Sequence, residues 1–134
     1  MPLQTSYSEN IRAGVPGAIV DMIPKTLISR TVEDAAGVAF GLPVYQGAAD
    51  KGVTATAGTA ADFVGFTVLD RSVAVGSQFS QYESARIMTK GAIWITAPAA
   101  VAAGDAVVIG GVTIPDARYD TSAAANQIVQ VRLG

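Results

Sequence analysis

The chain is dominated by β-branched side chains, and this feature restricts its fold more than any other. It holds 16 Val, 10 Ile and 11 Thr against 5 Leu. Because these side chains are stiff at χ1 and pack well on a pleated surface, the excess favours strands over helices. The 24 Ala residues would permit helices, but they lie among Gly, Thr and Pro and form no stripe at helical spacing. The sequence therefore predicts an all-β fold.

Runs that alternate with a period of two residues indicate where the strands lie. Alternation at residues 82–88 and 91–97 predicts two strands, and Thr89-Lys90-Gly91 between them has the pattern of a three-residue hairpin. A second hairpin is predicted at Gly110-Gly111, because two glycines accept the positive φ angles of a type I′ turn. The strands of this second hairpin are residues 106–109 and 112–114.

Further strands are predicted at residues 38–46, 53–57, 63–69 and 128–133. The run at 63–69 is almost continuously apolar, which is typical of a strand covered on both faces. Strands at intervals of about 8–12 residues with Gly, Pro or Asp between them indicate a barrel or a sandwich. Helix is limited to a turn or two near residues 122–126 or 32–36.

Composition excludes several classes of function. The 134 residues correspond to one domain, and only 15% of them are charged, against about 25% in an average soluble domain. The chain has no Cys and no His, so thiolate nucleophiles, cysteine zinc sites and the usual general base are missing. The net charge is −2 with no basic stripe, which argues against nucleic-acid binding. No apolar run is long enough to span a bilayer, so a soluble chain is expected.

The N-terminal segment differs from the rest of the chain. Residues 1–30 hold three of the 6 Pro residues and show no clean alternation, although they carry many apolar side chains. An extended and apolar segment is unusual for a solvated linker. It either lies as an arm on another protein chain, in the manner of strand addition, or supplies the first strand of the domain itself.

Candidate chemical groups are few. Glu33 and Asp34 are the one adjacent carboxylate pair considered for acid–base chemistry, but neighbours on a strand point apart, so a turn or cap role is expected. No phosphate-binding loop or nucleophile elbow occurs. Trp94, Tyr82 and Tyr119 are the aromatic residues that a carbohydrate site would use.

Several short motifs resemble one known family. They are GLPVYQG at 41–47, FVGFTV at 63–68, Tyr82 leading to Lys90-Gly91, and VAAGDAV at 101–107. In this order they are similar to the structural cement or decoration proteins of tailed bacteriophage capsids, over roughly residues 35–134. The resemblance implies an extended N-terminal arm at residues 1–34 and a small β-barrel or β-tulip-like domain at 35–134.

The resemblance also implies which residues shape the scaffold. Gly47, Gly65, Gly91 and Gly104-Asp105 are carried over as turn or bulge positions, and Gly110-Gly111 joins them on the hairpin argument above. The family implies no catalytic residue, cofactor or metal. Its members bind outside the shell of the major capsid protein, often as trimers.

The expected function is therefore that of a capsid cement protein, placed on the outer surface of the virion and in the host cytoplasm during assembly. Its partners are the major capsid protein and neighbouring copies of itself, as a trimer or alternatively a dimer, with no nucleic acid and no membrane. The apolar residues of the N-terminal segment are predicted to contact these partners: Tyr7, Ile11, Val15, Ile19, Val20, Met22, Ile23, Leu27 and Ile28. The alternative function is a phage fibre or surface module that binds carbohydrate, and an enzyme that uses carboxylates alone is a third class.

Overall fold

A computed structural model describes residues 16–20, 24–56, 58–70 and 78–134. Within these residues the regular structure consists of strands and a single turn of 3₁₀ helix at Ala60–Asp62. The strands are β1 Thr26–Val32, β2 Val38–Ala39, β3 Pro43–Gln46, β4 Gly52–Thr54, β5 Phe63–Thr67, β6 Gln78–Phe79, β7 Ser84–Thr96, β8 Ala106–Ile109, β9 Val112–Tyr119 and β10 Ile128–Leu133. None of the described helices is long and apolar enough to cross a membrane.

Five strands form a closed barrel. Their order is β1-β4-β3-β5-β7, and β1 returns to pair with β7 in antiparallel register, with Ile28 opposite Ile87. The second half of β7 leaves the barrel and continues a second sheet in the order β7-β10-β9-β8. β2 and β6 make a separate two-stranded ribbon. The prediction of an all-β barrel is confirmed.

One extra residue in β7 divides this long strand between the two sheets. On β1, consecutive residues pair with Lys90 and then with Met88, so Thr89 is left over as a β-bulge. Gly91 follows the bulge with φ of 130°, a conformation that side chains rarely adopt. Before this point β7 pairs with β1 and β5, and after it β7 pairs with β10.

The bulge changes which face of β7 is buried against which core. Ile87 faces the core inside the barrel, whereas Ile93 and Ile95 face the core between the barrel wall and the second sheet. In an unbroken strand these odd-numbered residues would share one face. The barrel core contains Val32, Val38, Phe40, Val44, Val53, Phe79, Ala85 and Ile87. The larger core contains Phe66, Val68, Met88, Ile93, Ile95, Ala97, Val107, Ile114, Ala117, Tyr119, Val129, Val131 and Leu133.

The two hairpin predictions have opposite outcomes. Gly110 and Gly111 connect β8 to β9 with φ of 59° and 79°, so the prediction of a tight hairpin there is confirmed. The hairpin predicted at Thr89-Lys90-Gly91 is wrong, because residues 84–96 form one bulged strand. A glycine with positive φ fits both arrangements, and only pairing with distant strands decides between them.

Other strand predictions are confirmed with shorter or split bounds. Residues 128–133, 63–67 and 52–54 are strands. The run at 38–46 is split into β2 and β3 around Gly41, whose φ is 76°. The short helices considered near 122–126 and 32–36 do not form; residues 122–126 contain an isolated bridge at Ala123 and a turn at residues 125–126.

β1 lies inside the segment 1–34 that the sequence assigned to an arm. Its residues pair with β7 on one side and in parallel with β4 on the other, where Thr31 lies opposite Gly52. Residues 26–32 are therefore part of the barrel, which was the alternative left open for this segment. The domain boundary predicted after residue 34 therefore leaves β1, a strand of the barrel, on the arm side of the boundary.

The remaining scaffold positions carried over from the resemblance occupy different places. Gly47 begins the loop between β3 and β4, and its N–H donates to Gly52 O at 2.9 Å. Gly65 lies within β5 beside a register shift in its pairing with β3, which makes it a bulge position. Gly104-Asp105 form a turn that the Asp105 carboxylate supports by accepting the Ala102 N–H at 3.0 Å.

Replacement of Gly91 by alanine tests the bulge. The new Cβ would lie 2.8 Å from Lys25 Cβ in a backbone conformation that already disfavours alanine. We expect Gly91→Ala to lower the free energy of unfolding by about 2–4 kcal/mol. Gly104→Ala is the matched control, since Gly104 has φ of 91° but no neighbouring atom within 4 Å, and it should cost about 1 kcal/mol. Equal losses in urea unfolding would contradict the close approach at Gly91.

Candidate functional site

Residues 16–20 are the first described stretch of the predicted arm, and they lie in the corner between the two sheets. The Gly17 N–H donates to Trp94 O at 2.8 Å, and Gly17 O accepts the Leu69 N–H at 2.8 Å. The Trp94 N–H in turn donates to Ala18 O at 2.9 Å. Leu69 follows β5 and Trp94 belongs to the second half of β7, so Gly17 links both sheets. An arm that is separate from the folded body can therefore include only residues before Pro16.

The residues predicted to contact a partner fall into two groups. Ile19 and Leu27 pack against the larger core, and Ile28 packs against the barrel core. Val20 is half-buried, and its N–H donates to Ala92 O at 3.2 Å. Their apolar surface is thus used largely within their own chain. The others lie outside the described residues: Tyr7, Ile11, Val15, Met22 and Ile23.

Exposed apolar surface occurs on the folded body at positions the sequence did not single out for partner contact. Leu42 is 39% exposed and Val108 is 45% exposed. Leu42 borders a cleft of about 260 Å³ whose apolar lining includes Ile109 and Val112 at the tip of the β8–β9 hairpin. No sequence signal singles out Val108, because β8 reads AVVI without polar residues; the fold shows that Val107 is fully buried and that Val108, on the opposite face, is exposed.

Glu33 and Asp34, the carboxylates considered for acid–base chemistry, both organise loops. Glu33 accepts the N–H groups of Ala48 and Ala49 at 3.0 and 3.2 Å, which fixes the loop between β3 and β4. Asp34 accepts the Ala55 N–H at 2.9 Å and binds the Thr54 hydroxyl. These are carboxylate–backbone contacts of the kind that stabilise turns. The two groups point to different loops and do not form a reactive pair.

The three aromatic residues of the carbohydrate hypothesis do not share a surface. Tyr119 is 2% exposed and belongs to the larger core. Tyr82 is 76% exposed on the turn before β7. Trp94 is half-buried, and its backbone is covered by residues 17 and 18. A sugar platform requires exposed aromatic faces side by side, and the burial of Tyr119 removes one of them.

A family model described as structural cement protein (E217 gp24/Pam3 gp6) matches residues 3–134. The chain belongs to this family. Among solved structures, this cement protein is similar to a chain from the capsid of Myoviridae phage XM1, with a TM-score of 0.72 and 15% identity over 100% of this chain and 98% of that chain. No curated protein matches.

Family membership confirms the resemblance that the short glycine-bordered motifs indicated. The cement protein has a structural role on the phage capsid, and its fold is shared over its whole length with a phage capsid chain of low sequence identity. In the described residues no group of three or more acidic, His or Cys side chains could hold a metal ion. The structural role shown by the family makes the surface of this cement protein its candidate functional site.

Tyr119 gives the cement protein a specific response to alkaline pH. Its hydroxyl is buried and has no hydrogen-bond partner among the described residues. Burial raises the pKa of Tyr119 above 10.0, and the negative charge of Asp105 raises this pKa further. The unfolded chain then loses the tyrosine proton at a lower pH than the folded protein. The contribution of Tyr119 to the free energy of unfolding is thus fully present below the pKa of this tyrosine in the unfolded chain. It is lost as the pH rises through the pKa of Tyr119 in the folded protein.

We therefore expect Tyr119→Phe to resist alkaline unfolding better than the wild type. At neutral pH the substitution keeps the ring and removes an unpaired hydroxyl, so the free energy of unfolding should stay equal or rise by up to about 1–2 kcal/mol. Urea unfolding followed by the fluorescence of the single Trp, measured from neutral pH to above pH 10, checks both statements. Tyr82→Phe, which removes an exposed hydroxyl, serves as control. A Tyr119→Phe protein that unfolds at the wild-type pH would disprove the role of this group.

Proposed function

We propose that this cement protein binds the outer surface of the shell of the major capsid protein and joins neighbouring capsomers there. The observation that carries the proposal is the family match, which runs from residue 3 and so includes the apolar N-terminal segment as well as the barrel. The protein would be part of the virion and would reach the shell from the host cytoplasm during assembly. The partners proposed are proteins, with neither nucleic acid nor membrane among them.

The proposed arm is the segment of residues 1–15. It carries Tyr7, Ile11 and Val15 and joins the body at Pro16, next to the corner formed around Gly17. Apolar surface removed from water contributes roughly 25 cal/mol per Å², less the cost of ordering the segment. An arm on one capsomer and a barrel on the next would add their contacts as a multivalent attachment, in which neither contact has to be strong by itself.

Contacts between copies of the cement protein are proposed at β8. This strand ends the second sheet, and within the described part of the chain nothing pairs with its outer edge. Its sequence AVVI carries no charge and no proline, and Val108 is exposed. Such an edge is suited to accept another strand. Pairing of β8 with β8 would give a two-fold dimer, whereas pairing of β8 with a different edge would close a three-fold ring.

Deletion of residues 1–15 tests the arm. Residues 16–20 and β1, which belong to the folded body, remain in the truncated protein, and its unfolding curve is compared with that of the wild type as the control for folding. We expect the truncated protein to bind expanded heads lacking cement protein at least about tenfold more weakly, since the apolar contacts of the arm are lost. Co-sedimentation with heads over a range of protein concentrations measures this. Unchanged affinity in a folded truncated protein would refute the arm.

A charge on the edge strand tests the contact between copies. Val108→Lys places like charges from two copies at the shared edge, which should weaken self-association of the free protein by about tenfold or more. Thr113 lies opposite Val108 on β9 and is also exposed, so Thr113→Lys adds the same charge on an inner strand and should associate as the wild type does. Sedimentation velocity measures both. Association that survives Val108→Lys would place the contact elsewhere.

A further inference from the structure

Tyr82 combines high exposure with a strained backbone. It is 76% exposed, more than either of the other exposed large apolar side chains in the described residues. Its φ is 65°, a value shared among the described non-glycine residues only by Asp116 and Asn126. Asp and Asn tolerate this left-handed region because their short side chains bond to local backbone, whereas an aromatic residue gains no such compensation. Tyr82 is therefore the unusual member of the group.

The surrounding turn holds Tyr82 in this conformation. The Tyr82 N–H donates to Val32 O, at the end of β1, at 2.7 Å. The flanking residues close the turn, since the Glu83 N–H donates to Ser80 O at 3.0 Å and the Ser80 N–H donates to Glu83 Oε1 at 2.9 Å. A strained residue persists only where neighbouring contacts determine its geometry, and here they direct the phenol ring toward solvent.

The ring of Tyr82 contributes little to the stability of the isolated chain. Glycine at this position would relieve the backbone strain and would remove little buried surface. An exposed tyrosine on a fixed turn is, in contrast, well suited to recognition. It offers a large and rigid apolar area at low entropic cost, together with a hydroxyl that can donate or accept a hydrogen bond.

We propose that Tyr82 is an anchor by which the cement protein contacts the major capsid protein, with the ring in an apolar hollow and the hydroxyl bonded to a polar group at its edge. The inference rests on the function proposed above and names one contact residue for it. A single aromatic residue beside the polar and exposed Gln81 and Ser84 buries too little surface to hold two free copies together. On a shell it adds to contacts made elsewhere on the subunit.

The test compares Tyr82→Gly with Asn126→Gly. Asn126 is exposed and has φ of 66°, so Asn126→Gly places a glycine in the same backbone conformation at a different turn. Tyr82→Gly should melt about 2–6 °C above the wild type, whereas Asn126→Gly should melt close to the wild type because Asn already tolerates this conformation. Only Tyr82→Gly should lose binding to expanded heads lacking cement protein, by about 30-fold or more, as expected of an anchor residue. Tyr82→Asn should also lose binding, because Asn tolerates positive φ but lacks the aromatic ring. This second variant shows whether a loss of binding by the glycine variant comes from a folding defect.

The results distinguish the proposed function on the capsid from the role of Tyr82 as an anchor residue. If the wild type binds heads and both Tyr82 variants bind equally well, Tyr82 is not an anchor and the proposed function stands. If the wild type does not bind heads, the proposed function fails and this inference fails with it. If the Tyr82 variants lose self-association in sedimentation velocity while they bind heads normally, the ring contacts a second copy, and the inference is also overturned.

Discussion

The extra residue at Thr89 is the constraint on which the rest of the fold depends. A strand offers one row of side chains to each face, yet β7 has to supply the barrel core with Ile87 and the larger core with Ile93. One added residue exchanges the two rows, because the side-chain period of a strand is two. Without it Ile93 and Ile95 would face away from the second sheet. Gly91 completes the change of direction with a φ of 130°.

Several of the few charged side chains in the described residues hold loops or pair with one another. Glu33 and Asp34 fix the loops on either side of β4, and Asp105 supports the turn before β8. Arg132 on β10 pairs with Asp120, which directly follows β9, at 3.0 Å. A subunit that stabilises a shell by contact gains from this arrangement, since charged groups are costly to desolvate at an interface.

Local signals in the sequence were sufficient at the tight hairpin between β8 and β9. Gly110-Gly111 joins adjacent strands, so the residues of the turn determine the hairpin. Thr89-Lys90-Gly91 carries a similar signal and yet lies inside one strand, because β1, β5 and β10 pair with it from distant parts of the chain. The position of residues 16–20 between the two sheets could not be predicted either. These residues show no alternation of apolar and polar side chains that would indicate which strands they contact. The strain at Tyr82 depends on a bond to Val32, fifty positions away in sequence.

The pairing of β1 with β7 also has a consequence for how the chain folds. These two strands close the barrel, although five shorter strands of the described residues lie between them in the sequence. Bringing such remote segments together sacrifices chain entropy before the contacts that compensate for it can form. Closure is thus the slow step expected of this topology, and until it occurs β1 and the first half of β7 present open edges to other unfinished chains.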